Sequence, residues 1–169
     1  MEIEYTDKMV KWVYNNNKIT YEANGIEFAS YNSGIVYIEM VNDDIYEYRF
    51  VDLKGEDICK YNENNLLTIF KNVDKHEIKL EEINDILVFD GKIYVMNKRK
   101  DIIIFNEDGE NNGVIKPPQG YIFSRFCNNS KFEVICEADL LNADSFGRVD
   151  YKFEYDLFCN NWERKTVVY

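Results

Sequence analysis

The sequence predicts an all-β fold of repeated antiparallel β-hairpin units, arranged as a small or incomplete β-propeller-like structure or, alternatively, a β-sandwich. Three observations carry this expectation. Aromatic residues make up 15 % of the 169 residues, thirteen Tyr and eleven Phe among them, a mixture that suits pleated, half-buried surfaces better than helices. Asparagines cluster at Asn15-Asn16-Asn17, Asn64-Asn65, Asn111-Asn112, Asn128-Asn129 and Asn160-Asn161. Asn tolerates left-handed backbone and makes local hydrogen bonds, so each cluster reads as a turn between short strands. Finally, one hairpin pattern recurs along the chain, which is the mark of a repeat architecture.

Taken in order, the N-terminus is the exception. Tyr5, Met9, Trp12 and Val13 fall at helical spacing behind Thr6, a residue suited to an N-cap, and together they allow a short N-terminal helix. "NNKITYEANG" at 16–25 shares a Lys-Ile core with the repeats that follow. The first full copy begins at Gly34, "GIVYIEMVNDDIYEYRFVDLKGE", and the second at Gly91, "GKIYVMNKRKDIIIFNEDGE". With the two glycines aligned, Tyr37 meets Tyr94, Asp44-Ile45 meets Asp101-Ile102, Tyr48 meets Phe105, and Gly55-Glu56 meets Gly109-Glu110 after three extra residues. Between the copies, "NLLTIFKN" and "HEIKLEE" supply two additional strands. A third, weaker copy runs from Ser130 through "SKFEVIC" and resumes, after an insertion, in "YKFEYDLFCNNWE". Pro117-Pro118 separates the second and third units, because proline cannot donate within a central ladder.

Alternation supports strands within these units. Ile45, Glu47 and Arg49 share one face of "DIYEYRF", and Tyr46, Tyr48 and Phe50 the other. "DIIIF" is apolar throughout, as a strand covered on both faces requires. About ten to twelve short strands are expected in all, forming a single all-β domain over residues 1–169.

The net charge is −11. Residues 1–60 carry 12 acids against 6 bases, residues 61–110 carry 11 against 7, and the last 59 carry 8 against 7. Nucleic-acid binding draws its affinity from Lys and Arg displacing counterions, and anionic membranes select for the same residues. Neither partner is expected here; a cationic protein is. No basic segment followed by an apolar run opens the chain, and no stretch reaches the roughly 18 apolar residues that span a bilayer, so a cytoplasmic location is expected. Cys59, Cys127, Cys136 and Cys159 form no C-x-x-C pair and are expected to be reduced thiols.

Local motifs for chemistry are scarce. "NEDGENNG" places Asn106, Asp108 and Glu110 at alternating positions, but an EF-hand read through Gly109 has Ile104 where the first ligand belongs and Ile115 where the bidentate Glu belongs. The equivalent "VDLKGE" lacks those oxygens, so the segment is expected to be a hairpin turn with glycine supplying positive φ. The sole histidine, His76, lies between Lys75 and Glu77 with no nucleophile in its motif. Carboxylate pairs at Asp43-Asp44, Glu56-Asp57, Glu81-Glu82 and Glu107-Asp108 are adjacent, and adjacent strand residues face opposite ways; solvated turns explain them better than a hydrolase dyad. Lys98-Arg99-Lys100 forms the only basic cluster, at the hinge of the second hairpin. No phosphate-cradling glycine loop is present, and neither a catalytic set, a cofactor nor a metal site is expected.

The C-terminal stretch "FGRVDYKFEYDLFCNNWERKTVVY" resembles the closing blade of small propeller-like bacterial proteins, through its Gly-Arg-x-Asp entry, alternating aromatic strand, Asn-rich turn and Trp-bearing return. In size, acidity and lack of a catalytic set the chain also resembles the immunity proteins that block polymorphic toxins. That likeness implies a non-enzymatic inhibitor that occludes a cationic toxin such as a nuclease, with a carboxylate-dependent hydrolase or a sugar-binding module as alternatives. The acidic hinge of the first hairpin is the expected partner-binding site: Asp43, Asp44, Tyr46 and Glu47.

Overall fold

A computed structural model of the chain describes residues 1–71, 74–127, 131–139 and 141–168. These residues form seventeen strands in four antiparallel sheets, with no helix among them. The chain divides into two compact units, one of Met1–Leu80 with Glu107–Glu110, the other of Glu81–Asn106 with Asn111–Tyr169.

The first unit holds two sheets. One is three-stranded, β1 (Glu4–Tyr5), β2 (Met9–Tyr14) and β3 (Asn17–Glu22), in that order. The other has six strands in chain order: β4 (Ile26–Asn32), β5 (Ile35–Asn42), β6 (Ile45–Asp52), β7 (Asp57–Asn62), β8 (Leu66–Lys71) and β9 (Asp74–Lys79). Their shared core gathers Val10, Trp12 and Tyr21 against Ile26, Val36, Ile38, Met40 and Val51.

The second unit holds two four-stranded sheets, again in chain order. β10 (Ile83–Phe89), β11 (Lys92–Asn97), β12 (Asp101–Phe105) and β13 (Asn111–Ile115) make one. β14 (Tyr121–Cys127), β15 (Glu133–Ala138), β16 (Asp150–Asp156) and β17 (Asn161–Val167) make the other. Tyr94, Met96 and Ile102 pack there with Phe123, Phe132, Val134 and Phe153.

The helix allowed at the N-terminus is not formed. Val10 is fully buried and Trp12 is 3 % exposed, while Lys11 and Val13 face solvent, so the true period is two. Trp12 Nε1 donates to the Leu53 carbonyl at 2.9 Å, and Asn15 and Asn16, both at positive φ (49° and 63°), turn β2 directly into β3. Thr6 Oγ1 accepts from the Lys8 amide, forming a local turn in place of a helix cap. Seventeen strands exceed the expected ten to twelve, because two-residue turns use so little chain.

The repeats map onto equivalent strands. The Gly34 and Gly91 copies are β5–β6 and β11–β12, the second and third strands of their sheets, and β15–β16 holds that place in the last sheet. The two additional strands predicted between copies are β8 and β9, which extend the first large sheet to six. The Asn128-Asn129 turn and the start of the third copy at Ser130 lie outside the described residues.

Candidate partner-binding face

The acidic hinge forms a two-residue turn. Asp43 (φ 51°) and Asp44 (φ 61°) link β5 to β6 between the paired residues Asn42 and Ile45. Two positive φ values in succession match the twist of the flanking strands, and Asp is among the few non-glycine residues that accept that backbone. Both side chains are exposed.

Beyond the turn, β6 sends alternate residues to opposite faces. Tyr46 and Tyr48 join a ladder of rings that crosses five strands. Tyr46 and Tyr48 lie nearly parallel with centroids 6.4 Å apart, and Tyr48 stacks on Tyr61 of β7 at 4.7 Å. On the other side, Tyr48 meets Tyr37 of β5 at 6.4 Å, Tyr37 meets Phe28 of β4 at 6.3 Å, and Phe28 meets Tyr5 of β1 edge-on at 6.3 Å. Tyr5, Phe28 and Tyr46 are 44 %, 45 % and 36 % exposed, a large apolar area for a surface to leave open. Glu39, directly opposite Tyr48 in the ladder, and Glu63 border these rings. Partial burial pushes the Tyr48 hydroxyl pKa up, and the negative charges of Glu39 and Glu63 push it further.

Glu47 points the other way. Its Oε1 accepts from Arg49 Nε and its Oε2 from Lys60 Nζ, both at 2.6 Å. Arg49 Nη1 donates to the Tyr21 hydroxyl at 2.6 Å, and that hydroxyl donates to Asp57 Oδ1 at 2.7 Å. Burial alone would raise the Glu47 pKa, but the Lys60 and Arg49 hydrogen bonds outweigh it and hold the carboxyl below its ordinary range. Burial and the bond to Asp57 push Tyr21 up to about 12. The fold thus brings Asp43, Asp44 and Tyr46 to one end of the aromatic face and assigns Glu47 to an internal ion network on the opposite face.

Sequence reasoning missed Tyr5, Phe28, Tyr37, Tyr61, Glu39 and Glu63 as part of this surface. The Tyr46–Tyr48–Phe50 alternation was the available signal, but which rings stay open depends on what covers each sheet. Tyr37 remains half-buried, whereas Tyr94, its repeat counterpart, is 1 % exposed and packs edge-on against Phe132 at 4.7 Å.

Elsewhere, potentially reactive groups are already engaged. No group of three or more His, Cys, Asp or Glu suited to a metal exists among the described residues. In the "NEDG" turn Asp108 pairs with Lys71, and a side chain on Gly109 (φ 72°) would lie 2.8 Å from the His76 Cβ. The basic hinge is held down by Arg99, whose Nε donates to the Phe123 carbonyl at 2.9 Å and whose Nη2 donates to Glu137 at 2.5 Å. Cys59 and Cys136 are buried, and burial pushes the Cys136 thiol up to about 12. A cleft lined by Asp52, Glu56, Asp57, Phe70, Lys71 and Glu107 is acidic, but Asp52 accepts from the Lys54 and Glu56 amides and Asp57 is engaged by Tyr21. One carboxyl among the described residues is strongly pushed up, Asp85, and it is closed by the Ile86 and Phe126 amides.

No family model matches the chain, and no curated protein matches it. Solved structures overlap it loosely. A protein of unknown function from Bacteroides caccae is 12 % identical, with 95 % of this chain and 54 % of that one covered and a TM-score of 0.44. The computationally designed Ika8 protein is 9 % identical, with 90 % and 57 % covered and a TM-score of 0.43. A chain of the mitotic checkpoint complex is 8 % identical, with 96 % and 61 % covered and a TM-score of 0.46. The chain therefore spans little more than half the length of these three. No helix is long and apolar enough to cross a membrane among the described residues.

Proposed function

We propose that the protein is a non-enzymatic binding module for a cationic protein, and that its occupied surface is the aromatic face of β4–β7. The observation that supports this reading is the continuous ring ladder Tyr5–Phe28–Tyr37–Tyr48–Tyr61 with Tyr46, bordered by Glu39, Glu63, Asp43 and Asp44. Ring faces are electronegative and attract Arg and Lys side chains, the more so when water is excluded. Tyr also supplies rigid contact area at small entropic cost, which is why it recurs among binding hot spots. The surrounding carboxylates would accelerate encounter with a basic partner.

Within that class, an inhibitor or immunity protein acting in the cytoplasm on a basic toxin domain, such as a nuclease, fits the charge and the face best. The test starts from the neighbouring reading frame: if it encodes a large secreted protein with a basic C-terminal domain, that domain is the partner to titrate, and a neighbour without one counts against the inhibitor reading. Calorimetric titration should give a tight complex that abolishes the domain's toxicity, and Tyr48→Ala should weaken it at least tenfold. Absence of any complex rejects the inhibitor reading. Stacked exposed tyrosines also suit the flat faces of sugars, and calorimetry against an oligosaccharide panel tests that second reading.

A further inference from the structure

The three-stranded sheet has an open edge, and its sequence is complementary to itself. β2 and β3 are joined by the two-residue Asn15-Asn16 turn, so Tyr14 and Asn17 form the closing hydrogen-bonded pair. Counting along the register, Trp12–Ile19 and Val10–Tyr21 are the next bonded pairs. The N–H and C=O groups of Lys18, Thr20 and Glu22 consequently point away from β2, and among the described residues none of them meets a partner. The side chains of these three residues are exposed as well.

We propose that this edge pairs with the same edge of a second copy, in an antiparallel two-fold arrangement centred on Thr20. Only residues with outward backbone groups can form the bonded pairs of such a junction, and of the centres this allows, from Lys18 to Glu22, only Thr20 pairs all three of them. Centring on Thr20 sets Lys18 opposite Glu22 of the other copy, Thr20 opposite Thr20, and Glu22 opposite Lys18. All six outward groups of each strand then find partners, and both charge pairs are of opposite sign. On the other face of the strand, Ile19 falls opposite the second copy's Tyr21. The joined sheets become one of six strands, with β3 no longer an edge.

The opposite edge of the same unit shows that such complementarity is not automatic. In β9 the register places Lys71 opposite Asp74, so by the same parity Lys75, Glu77 and Lys79 carry the outward groups. Self-pairing there through all three residues would set Lys75 against Lys79 and Glu77 against Glu77. In the register that uses every outward residue, β9 therefore sets like charges opposite each other, whereas β3 sets unlike ones.

A junction of three residue pairs is small, so association is expected to be weak, with a Kd on the order of 100 μM. Each copy's net charge of −11 opposes it at low salt, so sedimentation equilibrium is run near physiological ionic strength, where that repulsion is screened. The wild-type chain should show a concentration-dependent dimer. Thr20→Pro removes an outward N–H at an edge position where proline is tolerated, and should abolish the dimer while leaving the monomer folded by circular dichroism. Lys18→Glu alone and Glu22→Lys alone each set like charges opposite each other and should weaken self-association about tenfold. Mixed in equal amounts, those two variants restore both opposite-sign pairs and should form a heterodimer at least as tight as the wild-type dimer. A wild-type chain that stays monomeric up to about 1 mM, or a dimer that Thr20→Pro leaves intact, overturns the proposal. Apart from Tyr5 on β1 the aromatic face lies on the other sheet, and β3 contributes no ring to it, so its binding test stands or falls separately.

Discussion

Replacing Asp85 by Asn should remove a specific pH dependence from the stability of the second unit. Asp85 sits at a bulge in β10, where its Oδ1 accepts from the Ile86 amide at 2.9 Å and its Oδ2 from the Phe126 amide of β14 at 2.7 Å. By area the residue is only partly buried, but its carboxyl is surrounded by protein. Burial therefore outweighs the two amide bonds and nearby Arg125, and pushes the pKa from 3.8 to about 6. A tenfold change in proton affinity corresponds to about 1.4 kcal/mol, so the displacement is worth about 2 to 3 kcal/mol after allowing for partial solvent access. Between the unfolded and folded pKa values the native state holds the extra proton, so stability must fall as pH rises through this window. The assay is urea unfolding of the wild type and Asp85→Asn at intervals from pH 3.5 to 7.5. The wild-type stability minus that of the variant should decline by about 2 to 3 kcal/mol over the range, whatever the other carboxylates do. Near pH 7 the two proteins should be close in stability, because losing one amide acceptor, at about 1 to 3 kcal/mol, offsets relief of the buried charge. A difference that stays flat, or that grows with pH, refutes the reasoning.

Other outcomes follow from the same geometry. Glu47→Ala removes the carboxylate that holds Lys60 and the Nε side of Arg49, which keeps Tyr21 and Asp57, and should cost about 2 kcal/mol at pH 7 by denaturant melt. Because the Glu47 pKa is depressed, its contribution is present above the ordinary carboxylate pKa of 4.5 and disappears as pH falls through the lower folded value. A side chain at Gly25 (φ 71°) would fall 2.1 Å from the Val41 carbonyl oxygen, whereas at Gly34 (φ 90°) nothing lies within 4 Å. Gly25→Ala should therefore destabilise by roughly 3 kcal/mol or more and Gly34→Ala by only about 1; equal costs would show that the Gly25 contact relaxes freely. Asp43→Asn with Asp44→Asn removes two charges but keeps residues that suit the turn, so melting should be unchanged while association with a basic partner slows several-fold at low salt and converges with wild type at high salt. Cys159 is exposed but bonded to Asp156, which raises its thiol pKa; Asp156→Asn should speed its alkylation at pH 8, and an unchanged rate would remove Asp156 as the cause.

Much of the fold was legible because its signals are local. The Asn15-Asn16 and Asp43-Asp44 turns are specified by residues that accept positive φ, and the repeat exposed β5–β6 and β11–β12 as equivalent hairpins. The N-terminus misled because Tyr5, Met9, Trp12 and Val13 satisfy a helical spacing, while the deciding facts are tertiary: Trp12 reaching the Leu53 carbonyl and β3 pairing alongside. The candidate site was half legible. The Asp43-Asp44 turn and Tyr46 follow from the hinge and its alternation, but that same alternation placed Glu47 on the other face, where Arg49 and Lys60 engage it. Phe28 follows only once β4 is recognised as the hairpin partner of β5, and Tyr5 could not be added from sequence, since its place in the ladder depends on β1, a strand of another sheet, reaching Phe28 of β4.

The aromatic face is tested most directly by comparing Kd values of wild type, Tyr48→Ala and Tyr46→Ala for the basic toxin domain proposed as its partner. Glu154→Gln, on the β14–β17 sheet, serves as a control for the loss of one surface carboxylate. The two tyrosine variants should each bind at least tenfold more weakly with their folds intact, and the control should bind like wild type. Tyrosine variants that bind as tightly as wild type, or a control that loses as much affinity as they do, would contradict a binding site on β4–β7.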